Sequence, residues 1–257
     1  MLINLESERY CAVIEYDGTL FHGYQIQPDV RTVQGSIEKT LTKIMKVFTR
    51  VSVAGRTDAG VHATGQVIAF DAVWRHSTDD LRRALNSVLP HDIFVKKLVT
   101  VLPDFSPRYA AIQRSYRYVI VNDTSFSVFE RFYSHYIRSK LNLALMREAS
   151  THLIGTYDFS SFGKPPQIGG HAVRRIMAIN WFAKNNKIFF DITANAFLYH
   201  MVRNIVGTLV LVGLNRLIPD DVRKILLAKD LKYSGPTAPA QGLYLMKVVY
   251  PNFIISG

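Results

Sequence analysis

Apolar residues that alternate with polar ones mark seven strands, at Tyr10 to Tyr16, Gln66 to Phe70, Ile93 to Val99, Ser115 to Val121, Arg174 to Phe182, Ile188 to Thr193 and Leu243 to Tyr250. A period of two sends successive side chains to opposite faces of a sheet, so one face of each stretch meets a core. Asn185-Asn186 suits the hairpin turn between the fifth and sixth, because asparagine tolerates left-handed backbone. Stripes spaced three and four residues apart mark helices. One follows Thr32, a hydroxyl suited to capping, and carries Val33, Ile37, Leu41 and Ile44; another opens on Thr78 with Asp79 and Asp80 and carries Leu81, Leu85 and Val88. Further helices are expected over Asn142 to Leu153, Phe197 to Val212 and Pro219 to Leu227.

Strands interleaved with one-sided helices suit helices packed on one face of a largely antiparallel sheet, an α+β fold. Pro103-Asp104-Phe105-Ser106-Pro107 is the natural joint, since two prolines interrupt either kind of element, and it divides the chain into two comparable parts, 1–105 and 106–257. The stretch from Phe162 to His171, rich in proline and glycine and carrying Lys164, is expected as an exposed loop near substrate.

The 257 residues are 48% hydrophobic and 12% aromatic, enough for a large core. No apolar run approaches the roughly 20 residues a membrane-crossing helix needs. Met1-Leu2-Ile3-Asn4-Leu5-Glu6 has neither the basic start nor the apolar core of a signal peptide, so a cytoplasmic protein is expected. The single cysteine, Cys11, permits no intrachain disulfide or thiolate zinc cluster and reads as a core residue. The eight histidines show no pair spaced as His-x-x-x-His, and no metal is expected. Charge changes the picture more. Against 20 Asp and Glu stand 31 Lys and Arg, a formal charge of +11, the balance of a protein that binds a polyanion. Residues 1–105 hold 12 of each sign, whereas residues 106–257 hold 19 basic and 8 acidic, so phosphate attraction belongs mainly to the second part. Charge names a class of partner, not a reaction.

Chemistry concentrates in Gly55-Arg56-Thr57-Asp58-Ala59-Gly60-Val61-His62-Ala63. This segment follows the short strand Val51-Ser52-Val53 and precedes another, so it is a loop held at both ends by sheet, a favoured place for function. Its glycines let backbone approach a ligand, Arg56 offers a planar guanidinium to phosphate or base, and Asp58 offers a carboxylate as nucleophile or base. Two other accounts stand beside this one. An aspartate near glycines often only shapes a turn, with His62 a structural histidine. Asp58 and His62 could also form a hydrolytic dyad, though no Ser or Cys nucleophile occurs in a setting such as Gly-x-Ser-x-Gly.

The loop resembles the signature of the tRNA pseudouridine synthase A family, whose catalytic aspartate lies in Gly-Arg-Thr-Asp-Ala-Gly-Val-His-Ala. Other segments resemble that family in the same order: Tyr16-Asp17-Gly18-Thr19 with Phe21 and Gly23-Tyr24-Gln25, Thr32-Val33-Gln34, Ser115-Tyr116-Arg117-Tyr118, Asp158-Phe159-Ser160-Ser161-Phe162, Phe197-Leu198-Tyr199-His200-Met201-Val202-Arg203-Asn204, and Gly242-Leu243-Tyr244-Leu245. They span nearly the whole chain. The resemblance implies a pseudouridine synthase fold, with two ferredoxin-like or RRM-like halves sharing one continuous antiparallel sheet, and a homodimer. It also implies conversion of uridines at positions 38 to 40 in the anticodon arm of tRNA, without a cofactor: the base leaves C1′, turns and rejoins through C5. A uridine in a stem must be flipped out first and held by stacking.

By the same resemblance Asp58 is the catalytic carboxylate, whether it attacks the base, attacks the sugar or removes a sugar proton. Tyr116 corresponds to the active-site tyrosine, whose ring suits stacking and whose phenol suits proton transfer; without the motif it reads as a core or sheet tyrosine. Arg203 falls in the helix whose stripe is Met201, Ile205 and Leu209, where a part-buried guanidinium needs a partner. The expected partner is Asp58, whose carboxylate it would keep ionised and oriented; the alternative is an arginine reaching to solvent or phosphate. Arg56 is expected to displace or replace the flipped base or bind its phosphate, with a structural contact in the turn as the alternative. Arg114, Arg117, Lys164, Arg174 and Arg175 are candidates for RNA backbone contacts, each with a solvated surface charge as its other reading.

Two departures from the family pattern are Asn195-Ala196, where a glycine is common before Phe197, and Ala172, where a threonine is usual. Two other functions keep the same fold and cleft. A non-catalytic RNA-binding protein has no use for a carboxylate that repels phosphate, and a uracil-releasing glycosylase would yield free base.

Overall fold

The computed structural model describes residues 6–165 and 169–251, so Pro166, Gln167 and Ile168 of the expected loop lie outside the described residues. The chain divides into two compact units. One runs to Ile112 and resumes at Leu245; the other is Gln113–Tyr244. The segment after the expected joint stays with the first unit because it is tied there. Arg9 Nε donates to Phe105 O at 2.7 Å, the Tyr250 phenol donates to Pro107 O at 2.8 Å, and Ile112 N–H donates to Val249 O at 2.9 Å.

The first unit runs β1 (Glu8–Tyr16), α1 (Val33–Met45), β2 (Ser52–Val53), β3 (His62–Ala72), α2 (Thr78–Val88) and β4 (Ile93–Val101). β1 lies between β3 and β4, antiparallel to both, with Cys11 opposite Ala69 on one side and Val99 on the other. Its middle is buried on both faces, and Cys11 is a core residue as expected. Ile37 and Leu41 of α1 and Leu85 of α2 bound an apolar space with Ala12, Ile14 and Phe70, so both helices cover one face of this sheet. Thr32 caps α1, its hydroxyl accepting from Gly35 N–H at 3.2 Å, a cap worth ~1 kcal/mol. The cap of α2 is Ser77 rather than Thr78. Its hydroxyl accepts from Asp80 N–H at 3.1 Å while Asp80 Oδ2 accepts from Ser77 N–H at 3.2 Å, a reciprocal box that needs the residue three before Asp80.

The second unit runs β5 (Gln113–Asn122), β6 (His135–Ile137), α3 (Leu143–Thr151), β7 (Gly155–Asp158), β8 (Val173–Lys184), β9 (Lys187–Ala194), α4 (Met201–Gly213) and α5 (Pro219–Ala228). Its strands are ordered β5-β9-β8-β7, all antiparallel, with β6 parallel to the end of β5. Asn185, at φ 56°, makes the β8–β9 turn as expected. α4 is buried nearly all round, whereas α3 and α5 are amphipathic and pack together. β10 (Leu243–Val249) crosses back to the first unit, where it lies beside β3. The approach is close enough that Gly65 of β3 could carry no side chain: a Cβ there would lie 2.2 Å from Met246 O. The fold is α+β, as the pattern predicts.

Candidate functional site

The loop that carries Asp58 is held from below by the segments on either side of it in the first unit. Thr57 is buried, with its hydroxyl 2.7 Å from the Tyr16 phenol, and its carbonyl accepts from Tyr24 N–H at 3.0 Å. Gln66 Nε2 donates to Gly55 O at 2.6 Å, and Val61 N–H donates to Asp58 O at 3.2 Å. Every residue of the Tyr16 to Tyr24 motif that must be glycine is so because of this loop. A Cβ on Gly18 would lie 2.1 Å from Val61 O; Gly23 has φ 90° and its Cβ would sit 3.0 Å from Thr57 O. The motif that resembles the family but has no role by sequence reasoning is therefore the bed of the Asp58 loop. Asp58 is half-buried and Arg56, two residues before it, is exposed.

His62 belongs to that bed. It is 2% exposed, and its Nδ1 is 3.1 Å from the Gly18 amide nitrogen and 3.2 Å from Asp17 Oδ1. One nitrogen cannot both accept from the amide and donate to the carboxylate. A backbone N–H can only donate, so the hydrogen bond from Gly18 decides and the close approach of Asp17 is no ion pair through this atom. Tyr16 is fully enclosed, and burial pushes its phenol up to about 12 against the opposite pull of Thr57 and Gln66.

In the second unit, alternation along β5 puts Arg114, Tyr116 and Tyr118 on the buried face and Ser115 and Arg117 on the other. Tyr116 stands opposite Ile192 of β9, and its ring meets Phe197 edge-on with centroids 5.0 Å apart. Tyr118 donates its phenol to Pro239 O at 2.7 Å; burial raises its pKa and the positive charge of Arg203 opposes the rise. Arg203 is half-buried in the first turn of α4. Its Nε donates to Ala238 O at 2.7 Å while Ala238 N–H donates to Arg203 O at 3.1 Å, so side chain and backbone are both tied to one residue.

The segment around Ala238 has no role in the sequence pattern, and it is what orients Arg203 within this unit. It presses on α4 so closely that a Cβ on Gly207 would lie 1.7 Å from Pro236 O. Gly235 N–H donates to Thr208 Oγ1 at 2.8 Å and Thr237 donates to Asn204 Oδ1 at 2.7 Å. Small residues on one side of an apolar helix are the signal that marks such a contact. α4 starts at Met201, four residues later than the stripe predicts, because Phe197 to His200 is diverted. Tyr199 N–H donates to Lys164 O at 2.9 Å, and His200 takes φ 60°.

The basic residues separate by accessibility. Lys164 and Arg175 are exposed. Arg114 is 8% exposed and donates to Asn195 O at 2.8 Å. Arg174 is 9% exposed and donates to Val173 O at 2.7 Å, its pKa lowered by burial and by Arg114. Arg117 grips Asp191 with two bonds, 2.7 and 2.8 Å, the cross-strand partner its register provides. Asn195 does by hydrogen bonding what a glycine does not: its side-chain oxygen accepts from Arg175 and Ala196 N–H, both at 2.9 Å. Ala172 contributes its carbonyl, which accepts from Phe159 N–H at 3.1 Å. Phe162 and Gly163 are buried, so the expected exposed loop begins only at Lys164. Among the described residues no group of three or more His, Cys, Asp or Glu is placed to hold a metal ion, and no helix is long and apolar enough to cross a membrane.

Known proteins resemble this chain along its length. The profile of the tRNA pseudouridine synthase family matches residues 12–110 and 149–251. The tRNA pseudouridine synthase A of Bacillus velezensis is 44% identical over 246 residues, 95% of this chain and all of that protein. Those of Bacillus subtilis and Thermotoga maritima are each 43% identical over the same shares. A solved archaeal box H/ACA Nop10–Cbf5 complex is similar over 79% of this chain and 43% of its own, at 9% identity and a TM-score of 0.37, too distant to bear on fold or function. A match along both units and full-length relatives at such identity have one meaning: the chain belongs to the tRNA pseudouridine synthase family, isomerases that convert uridine to pseudouridine in tRNA.

Proposed function

We propose that the enzyme acts on the anticodon arm of tRNA, at positions 38 to 40, as a cytoplasmic homodimer that flips its target uridine out of the stem and needs no cofactor. Asp58 is its catalytic carboxylate, with Arg203 the cation that keeps that carboxylate ionised. Tyr116 stacks on the flipped base, and Arg56 takes the place the base has left or holds its phosphate. The observation that supports this reading best is the bed beneath the Asp58 loop. Backbone on both sides of one carboxylate is fixed by Tyr16, Tyr24, Gln66 and Val61, and preorganised placement is what lets a single carboxylate act, whether on the base or on the sugar.

The reaction moves no atom in or out except protons. The bond from C1′ to N1 breaks, a bond from C1′ to C5 forms, N1 gains a proton and C5 loses one. A uracil detached from its sugar must not diffuse away, which is the work of a ring such as Tyr116 against its face. Exposed Lys164 and Arg175 are the better supported of the candidate backbone contacts; the enclosed Arg114 and Arg174 and the paired Arg117 have less to offer a phosphate. Mapping pseudouridine in unmodified tRNA transcripts after incubation with the protein, no cofactor added, tests the reading. Conversion confined to the anticodon arm is expected. Conversion elsewhere would refute the choice of target, and tight binding without conversion would fit a non-catalytic RNA-binding protein instead.

A further inference from the structure

Tyr199 is 57% exposed, yet its position is firmly set. Its N–H donates to Lys164 O, an isolated antiparallel bridge. Gly163 beside that bridge admits no side chain, since a Cβ would lie 2.6 Å from Tyr199 O and 2.7 Å from Leu198 Cβ. His200 stands at φ 60°, a conformation that a residue other than glycine adopts at a cost and that tends to mark functional positions. Its imidazole lies against the Tyr199 ring, centroids 3.8 Å apart and planes within 26°. The imidazole stacks on one face of the ring, and the residue as a whole is still 57% exposed.

We propose that Tyr199 and His200 form a stacking platform for an unpaired nucleobase of the RNA substrate, with Lys164 on the phosphate of the same nucleotide. A flat, rigid, exposed ring suits any base, because every base has a π face. Residues opposed across an antiparallel bridge project to the same side of it, so the exposed Lys164 side chain leaves the backbone on the same side as the Tyr199 ring. A platform already locked in place spends no binding energy on ordering itself. The proposal rests on the reading of Arg203 as an active-site residue: the platform ends at the first turn of the helix that carries Arg203, so the base held there neighbours the reacting uridine.

The test uses an anticodon stem–loop RNA in which the fluorescent base 2-aminopurine replaces one unpaired nucleotide at a time. In Asp58→Asn protein, which should hold the RNA unreacted, binding should quench the fluorophore at one position. Adding Tyr199→Ala should relieve that quenching and weaken binding roughly ten- to hundredfold, the loss of one base–aromatic stack. Tyr199→Phe should match the parent, and Lys164→Gln should weaken binding while the quenching persists. The platform is overturned if no position depends on Tyr199, or if Tyr199→Phe fails as Tyr199→Ala does, which would assign the effect to the hydroxyl. Those results with Asp58→Asn inactive overturn the platform alone, whereas normal turnover by Asp58→Asn overturns the active-site reading.

Discussion

Single residues bear unequal parts of this site, and those that support it are as informative as those that react. Tyr16 is 4% exposed and holds Thr57, the residue before the carboxylate. Tyr16→Phe should cost about 1 to 2 kcal/mol, because the Thr57 hydroxyl is left buried without this partner, and should lower kcat more than tRNA affinity; urea denaturation and steady-state kinetics check both. The same substitution has a pH signature. The unfolded chain releases this proton near 10.0 and the folded chain only at about 12. The stability from holding it is thus fully present below pH 10 and lost as pH rises to 12. The variant should lose less stability across that window than the wild type. At this scale the loop setting makes Asp58 a candidate carboxylate, whereas Tyr116 and Arg203 become candidates through the family resemblance. Alternation alone makes Tyr116 and Tyr118 equivalent, and what separates them is long-range: Tyr118 is consumed by Pro239 and Tyr116 meets Phe197.

Elements were legible in proportion to how many periods they contain. β1, β4, β5, β8 and β9 and the helices α1, α3 and α5 lie where alternation and stripes put them, to within a few residues. β6 and β7, three and four residues long, contain too few positions for a period to register and exist because a neighbour strand is there to pair with. β3 runs further than its apolar core suggests, since Gly65 is required by the approach of β10 rather than by a break in the strand. The start of α4 is set by a bridge to Lys164, 35 residues earlier, which no local pattern contains. The contact between α4 and the segment around Ala238 can be tested directly. In an ordinary helix Gly→Ala is stabilising by up to about 1 kcal/mol. At Gly207 the new Cβ would meet backbone at 1.7 Å, so overpacking of about 1 to 3 kcal/mol should win. Gly207→Ala should lower the thermal midpoint and, by displacing the Ala238 carbonyl from Arg203, reduce turnover; a more stable and fully active variant would contradict the packing described.

At the scale of the whole molecule, charge is the property the sequence states most clearly, and structure decides which charges are available. Net +11 predicts a tRNA affinity whose logarithm falls linearly with the logarithm of salt concentration. Removing a cation that neutralises a phosphate lowers that slope by about 0.7 to 0.9. Lys164→Gln and Arg175→Gln, both exposed, should each do so. Arg117→Gln should leave the slope unchanged, since that guanidinium is paired with Asp191. Equal slopes for all three variants would contradict the division drawn between accessible and engaged cations.

The central claim is that one carboxylate, Asp58, performs the isomerisation on a platform built to hold RNA without it. The most direct measurement compares pseudouridine formation and tRNA affinity for wild type and Asp58→Asn, an exchange that removes the charge and keeps the shape. Turnover abolished with affinity unchanged or improved is the predicted result. Normal turnover by the variant, or activity and binding lost together, would contradict it.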